Sequence, residues 1–475
     1  MRKARNLDFL FSPQTIAIAG VSEKANKFNF GLKFFEALTQ FGFKGKIYPV
    51  NPAGGEISGL TIYRSLRDIP DRIDYIISAI PAPYTPKLVD EAVEKSVKAI
   101  HFFTSGFGEI ENEEGRRLQN EILSRARKGG IRVIGPNCLG LYCPSGGLTF
   151  NGDYDQTPGS VSMVSQSGGN AAHGIQEGTS RGVHFSKVIS MGNGADLNES
   201  DFLEYLVQDP DTKIITAYLE GVRQGPRFFN ALKTAAQKKP TIILKVGASP
   251  SGAEAALSHT TALAGSDRIW EGLLKQTGAI RVGNIEEMID VAVAFERLSP
   301  PAGKRALIVG IGGGASVILA DQFSQAGLTL PKLSSRVRRD LIDVFPSEAG
   351  RIFKNPIDLN NFESAEKFFK TMKILDGCDE ADLLILHVAF DHFGLISKAE
   401  KEFWVGAFLK LIQETKQSLV KPLAVILHSF SSPDMKILAQ KAAYDLARQG
   451  IAVFPSIERG ALALARFTHY TRIRQ

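Results

Sequence analysis

The feature that most constrains this chain is a repeated rhythm of short apolar runs, each followed by a turn and a longer amphipathic stretch. The runs are rich in β-branched residues and continuously apolar rather than alternating, as in residues 15–19 (TIAIA) and 423–428 (LAVILH). Continuous apolar runs are typical of strands covered on both faces. Strands that alternate with helical stretches form βαβ units and parallel sheets. The sequence therefore predicts an α/β fold.

The chain is long enough for about three domains, because it has 475 residues and domains usually hold roughly 100–200. The runs divide into three blocks. Residues 1–145 are predicted to form a Rossmann-like domain, and residues 146–298 and 303–475 two flavodoxin-like, doubly wound domains. Between the last two blocks, Pro300-Pro301-Ala302-Gly303 is predicted to be a linker.

Composition excludes several classes of protein. Hydrophobic residues make up 44% of the chain and charged residues 22%, which is ordinary globular usage. No apolar run approaches the roughly 18 residues of a membrane span, and three cysteines suit a reducing compartment, so we expect a cytoplasmic protein. The net charge of +6 suits an anionic ligand without requiring one. No basic run points to nucleic acid.

Small and polar residues follow the predicted strands of the first block. In open α/β sheets, ligands bind beyond the carboxyl ends of the strands, where loop amides and helix N-termini meet. Each of these turns taken alone is more simply a turn, and the first of them lacks the G-x-G-x-x-G pattern of NAD sites. Five such strand ends in one domain together predict a shared nucleotide-like ligand. The residues concerned are Gly20, Ser22, Val50, Asn51, Pro81, Ser105 and Asn137.

A second anion site is predicted in the middle block. Ser165, Ser167 and Gly168 follow a strand and open a helical stretch, and hydroxyls with glycine amides at a helix N-terminus suit a phosphate or oxyanion. The alternative is a helix N-cap with flexible glycines.

His259 stands between hydroxyl residues in a small-residue stretch, residues 256–267 (ALSHTTALAGSD). A histidine in such a loop is a candidate nucleophile or base, or else a solvent-exposed bystander. A nucleophilic imidazole needs a group that orients its other ring nitrogen, usually a carboxylate. Glu220, at the end of a predicted strand, is the candidate. The remaining histidines and cysteines show no metal-ligand spacing, and we expect no metal site; His387 and His428, which interrupt apolar strands, are predicted to be core residues.

Taken together, these segments resemble the α subunit of the NDP-forming acyl-CoA synthetases, which include ADP-forming acetyl-CoA synthetase and belong to the succinyl-CoA synthetase superfamily. The most specific match is residues 256–267, which resembles the phosphohistidine loop of that family. The others are residues 164–168 (VSQSG) with 192–205 (GNGADLNESDFLEY), 218–221 (YLEG), and 42–52 (GFKGKIYPVNP) with 135–140 (GPNCLG). The matches span essentially the whole chain.

The resemblance implies a reaction and a role for each residue. The reaction would be acyl-CoA + NDP + phosphate ⇌ acid + CoA + NTP, through an acyl phosphate and a phosphohistidine. His259 would be the phosphorylated nucleophile and Glu220 its orienting carboxylate. Ser165, Ser167 and Gly168 would hold the phosphate, and the seven strand-end residues of the first block would line the CoA site.

The resemblance also implies a partner. After residue 300 there is one flavodoxin-sized block and no visible ATP-grasp module, so we expect a β subunit to supply it, with Mg²⁺ and ADP or ATP bound there, in a hetero-oligomer. The main alternative is a non-catalytic acyl-CoA-binding or regulatory protein on the same scaffold. A nicotinamide-dependent oxidoreductase is a weaker alternative. Two departures from the family pattern are Thr261, where a glycine is usual, and the segment that begins at Gly310.

Overall fold

The computed structural model describes residues 7–22, 29–110, 112–249, 251–252, 266–310, 313–347, 349–359, 361–389, 398–429 and 433–474. His259 and Thr261 lie outside these ranges. The described residues form two compact units. One holds the described residues up to Thr179 together with Val183–Met288, and the other holds Ser180–Gly182 with the described residues from Ile289 onward.

The first sheet is fully parallel, with the strand order β2-β1-β5-β6-β7. Its strands are β1 (Thr15–Ala19), β2 (Lys46–Val50), β5 (Tyr75–Ser78), β6 (Ala99–Phe102) and β7 (Arg132–Ile134). A separate antiparallel hairpin is formed by β3 (Gly55–Ile57) and β4 (Leu60–Ile62). The helices are α1 (Asp8–Phe11), α2 (Phe30–Phe41), α3 (Thr85–Glu94) and α4 (Glu113–Lys128).

The second sheet has the order β13-β12-β11-β9-β10-β8 and is parallel except for β8 at its edge. Its strands are β8 (Gly140–Tyr142), β9 (Val161–Ser165), β10 (Phe185–Ser190), β11 (Ile214–Leu219), β12 (Thr241–Lys245) and β13 (Ile280–Val282). The helices are α5 (Gly168–Ser180), α6 (Glu199–Leu206), α7 (Gly225–Lys238), α8 (Asp267–Thr277) and α9 (Ile285–Arg297).

The third sheet is parallel throughout, with the order β15-β14-β16-β17-β18. Its strands are β14 (Ala306–Gly310), β15 (Ile357–Asp358), β16 (Leu383–Ala389), β17 (Leu423–His428) and β18 (Ala452–Phe454). The helices are α10 (Gly313–Gln325), α11 (Ser335–Val344), α12 (Ala365–Asp376), α13 (Lys398–Ser418), α14 (Pro433–Arg448) and α15 (Ile457–Arg472). The α/β prediction is confirmed.

One apolar core joins the first two sheets. It includes Ile16 and Phe34 from the first sheet and its helices, and Ile189 and Leu219 from the second. The central strands are buried over their whole length, as β6 and β11 show, which explains their continuous apolar sequences. The predicted domain boundaries stay predictions: β8 precedes residue 145 but pairs with β10 in the second sheet.

The helix that follows β1 begins and ends where its capping residues place it. Asn29 accepts a hydrogen bond from the backbone N–H of Leu32 at 2.6 Å, which satisfies one donor of the first turn of α2. Gly42 ends the helix in the left-handed conformation, with φ of 80°, which glycine adopts without strain. Within the described residues, no helix combines the length and the apolar character that a membrane span requires.

His101 on β6 holds the loop that connects the first sheet to the second. Its side chain is 1% exposed, and its Nε2 lies 2.9 Å from the carbonyl oxygen of Cys138. Gly140 lies so close to the ring that a Cβ there would be 2.4 Å from Cε1. Burial lowers the pKa of His101 to about 4. The ring is therefore neutral at pH 7 and donates Nε2–H to the carbonyl, which holds the loop that carries Asn137.

The buried His101 predicts an acid-sensitive stability. In the unfolded chain the imidazole has a pKa of about 6.5, so between pH 6.5 and 4 the unfolded state binds one more proton, and the free energy of unfolding falls as the pH falls. At pH 5 the loss due to this residue is about 2 kcal/mol. The variant His101→Gln removes it. Urea unfolding at pH 7 and pH 5 should show a smaller pH difference for this variant than for wild type or for the exposed control His469→Gln. Equal pH differences in all three proteins would contradict the claim that His101 causes the loss of stability in acid.

Candidate active site

The carboxyl ends of the five parallel strands of the first sheet lie along one edge, which we call the CoA edge after the ligand that the sequence predicts there. The structure places all seven strand-end candidates of the first block there: Gly20 and Ser22 after β1, Val50 and Asn51 at the end of β2, Pro81 after β5, Ser105 after β6 and Asn137 after β7. In the sheet, β2 lies on one side of β1, and the next strand of the sheet in the sequence, β5, lies on the other side of β1. A topological switch point therefore lies between β1 and β5. That is where open α/β sheets bind ligands.

The turn after β1 is held in a compact shape. The N–H of Gly20 donates to the carbonyl oxygen of Val50 at 2.8 Å, and Asn29 Nδ2 donates to the carbonyl oxygen of Gly20 at 3.0 Å. Gly20 has a φ of 103°. A Cβ on Gly31 would lie 2.5 Å from the carbonyl carbon of Gly20, so only glycine lets α2 begin this close to the strand. The N-terminus of α2 thereby lies at the CoA edge, as an anion site requires.

The loops after β5, β6 and β7 are joined to one another by hydrogen bonds. Thr104 Oγ1 donates to the carbonyl oxygen of Ile80 at 2.6 Å. The N–H of Asn137 donates to the carbonyl oxygen of Thr104 at 3.0 Å. Asn137 adopts the left-handed conformation with φ of 58°, and its side chain and that of Ser105 are exposed. These loops form a continuous polar rim along the CoA edge.

In the second sheet, the three phosphate candidates form one turn between β9 and α5. Ser165 Oγ donates to the carbonyl oxygen of Ser167 at 2.7 Å. Ser167 Oγ accepts hydrogen bonds from the N–H and Nδ2 of Asn170 at 3.3 and 3.1 Å, so Ser167 is also the N-cap of α5. A Cβ on Gly168 would lie 2.9 Å from Leu139 Cγ, whereas one on Gly169 would meet nothing within 4 Å. The first turn of α5 is therefore open at Gly169, and a helix N-terminus suits an anion.

Glu220 lies beside this turn because Gln166 fixes the end of β11 to the end of β9. Gln166 Oε1 accepts the N–H groups of Glu220 and Gly221 at 2.5 and 3.1 Å, and its Nε2 donates to the carbonyl oxygen of Gly221 at 2.9 Å. Tyr218 Oη donates to Glu220 Oε1 at 3.3 Å. Burial and the charge of Glu220 raise the pKa of Tyr218, which keeps the phenol a donor. The turn that carries the buried Glu220 is thus held next to the turn that precedes α5.

Lys245 is a further charged residue at the carboxyl ends of the strands of the second sheet. It ends β12, pairs in register with Leu219 of β11, and is buried, with Nζ 5.2 Å from the centroid of the Trp270 ring. Burial lowers the pKa of Lys245. The chain then continues from β12 toward the segment that carries His259, which lies outside the described residues, and returns at α8.

Comparisons with known proteins identify the two domains that carry these loops. Residues 14–144 match a family model described as a CoA binding domain, and residues 158–295 match one described as a succinyl-CoA ligase like flavodoxin domain. The acetate–CoA ligase [ADP-forming] II subunit alpha of Pyrococcus furiosus is 35% identical over 436 residues, 92% of this chain and 93% of the relative. The I subunit alpha from the same organism is 31% identical over 472 residues, 98% of each chain. The chain belongs to this family of ADP-forming acid–CoA ligase α subunits.

A solved structure has the same fold as this chain. It is the dinucleotide forming acetyl-coenzyme A synthetase 1 of Ca. Korarchaeum cryptofilum in complex with phosphate and ADP. It is 29% identical to this chain, covers 99% of this chain and 97% of its own, and gives a TM-score of 0.83. The predicted family and the Rossmann-like and flavodoxin-like fold are confirmed.

Two residues at these strand ends, Gln166 and Lys245, were not predicted to be site residues from the sequence. Gln166 lies in the motif of residues 164–168. Only the structure shows that its side chain binds the backbone of Glu220, which is 54 residues away in the sequence. Lys245 ends a predicted strand, and a charged residue closing an apolar run was the available signal. Both residues are visible in local sequence patterns, but their contacts with distant parts of the chain are visible only in the structure.

The Gln166 contacts predict a local effect of the substitution Gln166→Ala. The N–H groups of Glu220 and Gly221 lose their acceptor, so their amide hydrogens should exchange with solvent about 5- to 30-fold faster, since a lost hydrogen bond of roughly 1–2 kcal/mol has that effect. Hydrogen–deuterium exchange of peptides covering residues 216–224 measures this. The control Gln224→Ala changes an exposed glutamine that makes no capping hydrogen bond in α7. Unchanged exchange in Gln166→Ala would contradict the hydrogen bonds assigned to Gln166.

Proposed function

We propose that this chain is the α subunit of an acid–CoA ligase that interconverts acyl-CoA, phosphate and ADP with the free acid, CoA and ATP. The observation that carries the proposal is the position of the turn of Glu220, whose backbone N–H groups are bound by Gln166 in the turn that precedes α5. A carboxylate beside a helix N-terminus suits a site that handles both a phosphoryl group and an imidazole. A protein that only binds CoA needs neither.

The first proposed step takes place at the phosphate turn. An oxygen of inorganic phosphate attacks the acyl carbon of the thioester, the C–S bond breaks, and CoA leaves as a thiolate that takes up a proton. The product is an acyl phosphate. The N-terminus of α5, with Ser165, Ser167 and Gly168, stabilises the anion without a full positive charge. Gly20, Ser22, Val50, Asn51, Pro81, Ser105 and Asn137 are proposed to line the CoA site.

In the second proposed step, a ring nitrogen of His259 attacks the phosphorus of the acyl phosphate. The bond between phosphorus and the acyl oxygen breaks, and the carboxylate product leaves. Glu220 accepts a hydrogen bond from the other ring nitrogen, which fixes the tautomer and stabilises the positive charge that forms. The phosphoryl group then passes to ADP, giving ATP and free His259.

The nucleotide is proposed to bind in a separate ATP-grasp β subunit with Mg²⁺, because the relatives from Pyrococcus furiosus are named as subunits. The same names make acetate the first acid to test. The α and β subunits would form a hetero-oligomer, and the phosphoryl group would cross from one to the other on His259.

Labelled inorganic phosphate tests the phosphoryl step. The purified chain, incubated with labelled phosphate and a panel of acyl-CoA esters, should gain acid-labile, base-stable label up to one phosphoryl group per chain. His259→Ala should gain none, and Glu220→Gln should be labelled at least about 100-fold more slowly, because the imidazole loses its orienting charge. The controls His469→Ala and Glu366→Gln change exposed residues of the third sheet's unit. Label on His259→Ala, or CoA release with no label on wild type, would overturn the proposal.

Reconstitution tests the proposed partner. The chain alone should make no ATP from acetyl-CoA, phosphate and ADP, because the nucleotide site is proposed to lie elsewhere. Addition of an ATP-grasp β subunit with Mg²⁺ should give ATP and free CoA in equal amounts. A chain that makes ATP without any partner would contradict the assignment of the nucleotide to a second subunit, while leaving the phosphohistidine step intact.

A further inference from the structure

Glu109 holds the loop after β6 in shape. Its Oε1 accepts the backbone N–H groups of Gly106 and Phe107 at 2.5 and 3.1 Å. Residues 103–110 form no helix or strand, and Gly106 has a φ of 103°. A loop of this kind loses much conformational entropy when it is ordered, so the contacts of Glu109 matter for its conformation. This loop carries Ser105, a proposed CoA residue.

The other carboxylate oxygen of Glu109 contacts the second sheet. Oε2 accepts a hydrogen bond from Asn193 Nδ2 at 2.5 Å. Asn193 stands in the loop between β10 and α6, so this bond joins loops 84 residues apart in the sequence. Asn193 is 7% exposed, which makes the bond stronger and the loss of a partner more costly than at the surface.

Asn193 also contacts three other parts of the same unit. Its N–H donates to the carbonyl oxygen of Pro136 at 3.0 Å, its Nδ2 donates to Gln119 Oε1 at 3.2 Å, and its carbonyl oxygen accepts from Arg223 Nη2 at 3.0 Å. The backbones pack closely, because a Cβ on Gly192 would lie 2.3 Å from the carbonyl oxygen of Pro136. One buried asparagine thus joins the loop after β6, the loop after β7 and the loop that follows Glu220.

We propose that Glu109 and Asn193 are positioning residues whose hydrogen bond keeps residues 105–110 in the conformation that binds CoA and fixes that loop to the segment carrying Glu220. The proposal rests on the proposed function. Holding a binding loop in its bound conformation before the ligand arrives removes an ordering cost from binding. The bond therefore sets CoA affinity.

Reversing the polarity of the bond tests the proposal. Asn193→Asp sets two carboxylates against each other, so the loop is released and the Kd for CoA, measured by calorimetry on the purified chain, should rise at least about tenfold. In the double variant E109Q/N193D, the amide introduced at position 109 donates to the carboxylate introduced at position 193, while its oxygen still accepts from Gly106 and Phe107. The side-chain amide of Gln119, which accepts from Asn193 in the wild type, must turn over so that its Nε2 donates to the new carboxylate. Its Kd should return to within about threefold of wild type. The matched control is Asn230→Asp, an exposed asparagine on α7.

A second variant and a kinetic readout separate positioning from general stability. Glu109→Ala, at a half-buried position, releases the loop without adding a charge and should also raise the Kd at least about tenfold. In the labelling reaction, these variants should raise the KM for acyl-CoA while the maximal rate stays within about threefold of wild type. A purely structural role would lower the melting temperature without this division between KM and rate.

The outcomes distinguish the two levels of the argument. A wild-type chain that binds no CoA overturns the proposed function and this inference with it. Wild-type binding together with an unchanged Kd in both Asn193→Asp and Glu109→Ala overturns the inference alone. So does a loss of affinity that E109Q/N193D fails to restore. Loss in each single variant with recovery in the double variant supports it.

Discussion

Parallel pairing is the constraint on which the site depends, because strands that run the same way deliver their carboxyl ends to one edge. In the first sheet this places the loops after β1, β2, β5, β6 and β7 side by side, although they span residues 20–137. In the second sheet, the register that pairs Tyr218 with Ser165 brings the turn of Glu220 next to the phosphate turn. The geometry of the sheets therefore selects which residues meet.

Side chains then fix what the sheets bring together. Backbone pairing ends with the strands, and the turns beyond them are held by Gln166, Thr104, Asn29 and Glu109. Each of these side chains bonds to backbone atoms of a turn. Buried backbone groups need such partners wherever regular structure ends, so the same bonds that satisfy the chain also preorganise its binding loops.

The junction between the first two sheets is held by apolar packing and by hydrogen bonds. They share an apolar core, and the loop of residues 135–140 contacts both, through His101 on one side and through Ser190, whose Oγ accepts the N–H of Leu139 at 3.0 Å, on the other. In the proposed reaction, CoA bound to the first sheet must present its thioester to a turn of the second. The contacts at the junction set the distance between the two sheets.

Local sequence patterns were enough for the long strands and for the turns that follow them. They missed β3, β4 and β8, of three residues each, and β15, of two, none of which forms a continuous apolar run. His387 was predicted to be a core residue and is buried, whereas His428, for which the same was predicted, is only half-buried; their Nε2 atoms lie 3.0 Å apart. The roles of Gln166 and Asn193 depend on partners far away in the sequence, which no local pattern contains. The role of His259 came from family resemblance and stays a prediction.

The most direct test of the central claim is a crystal structure of the chain with CoA and inorganic phosphate. The account predicts CoA along the carboxyl ends of the first sheet, with its thiol directed toward the second. It predicts phosphate at the N-terminus of α5, next to Glu220. Phosphate bound away from that turn, or CoA bound away from the first sheet, would contradict the account.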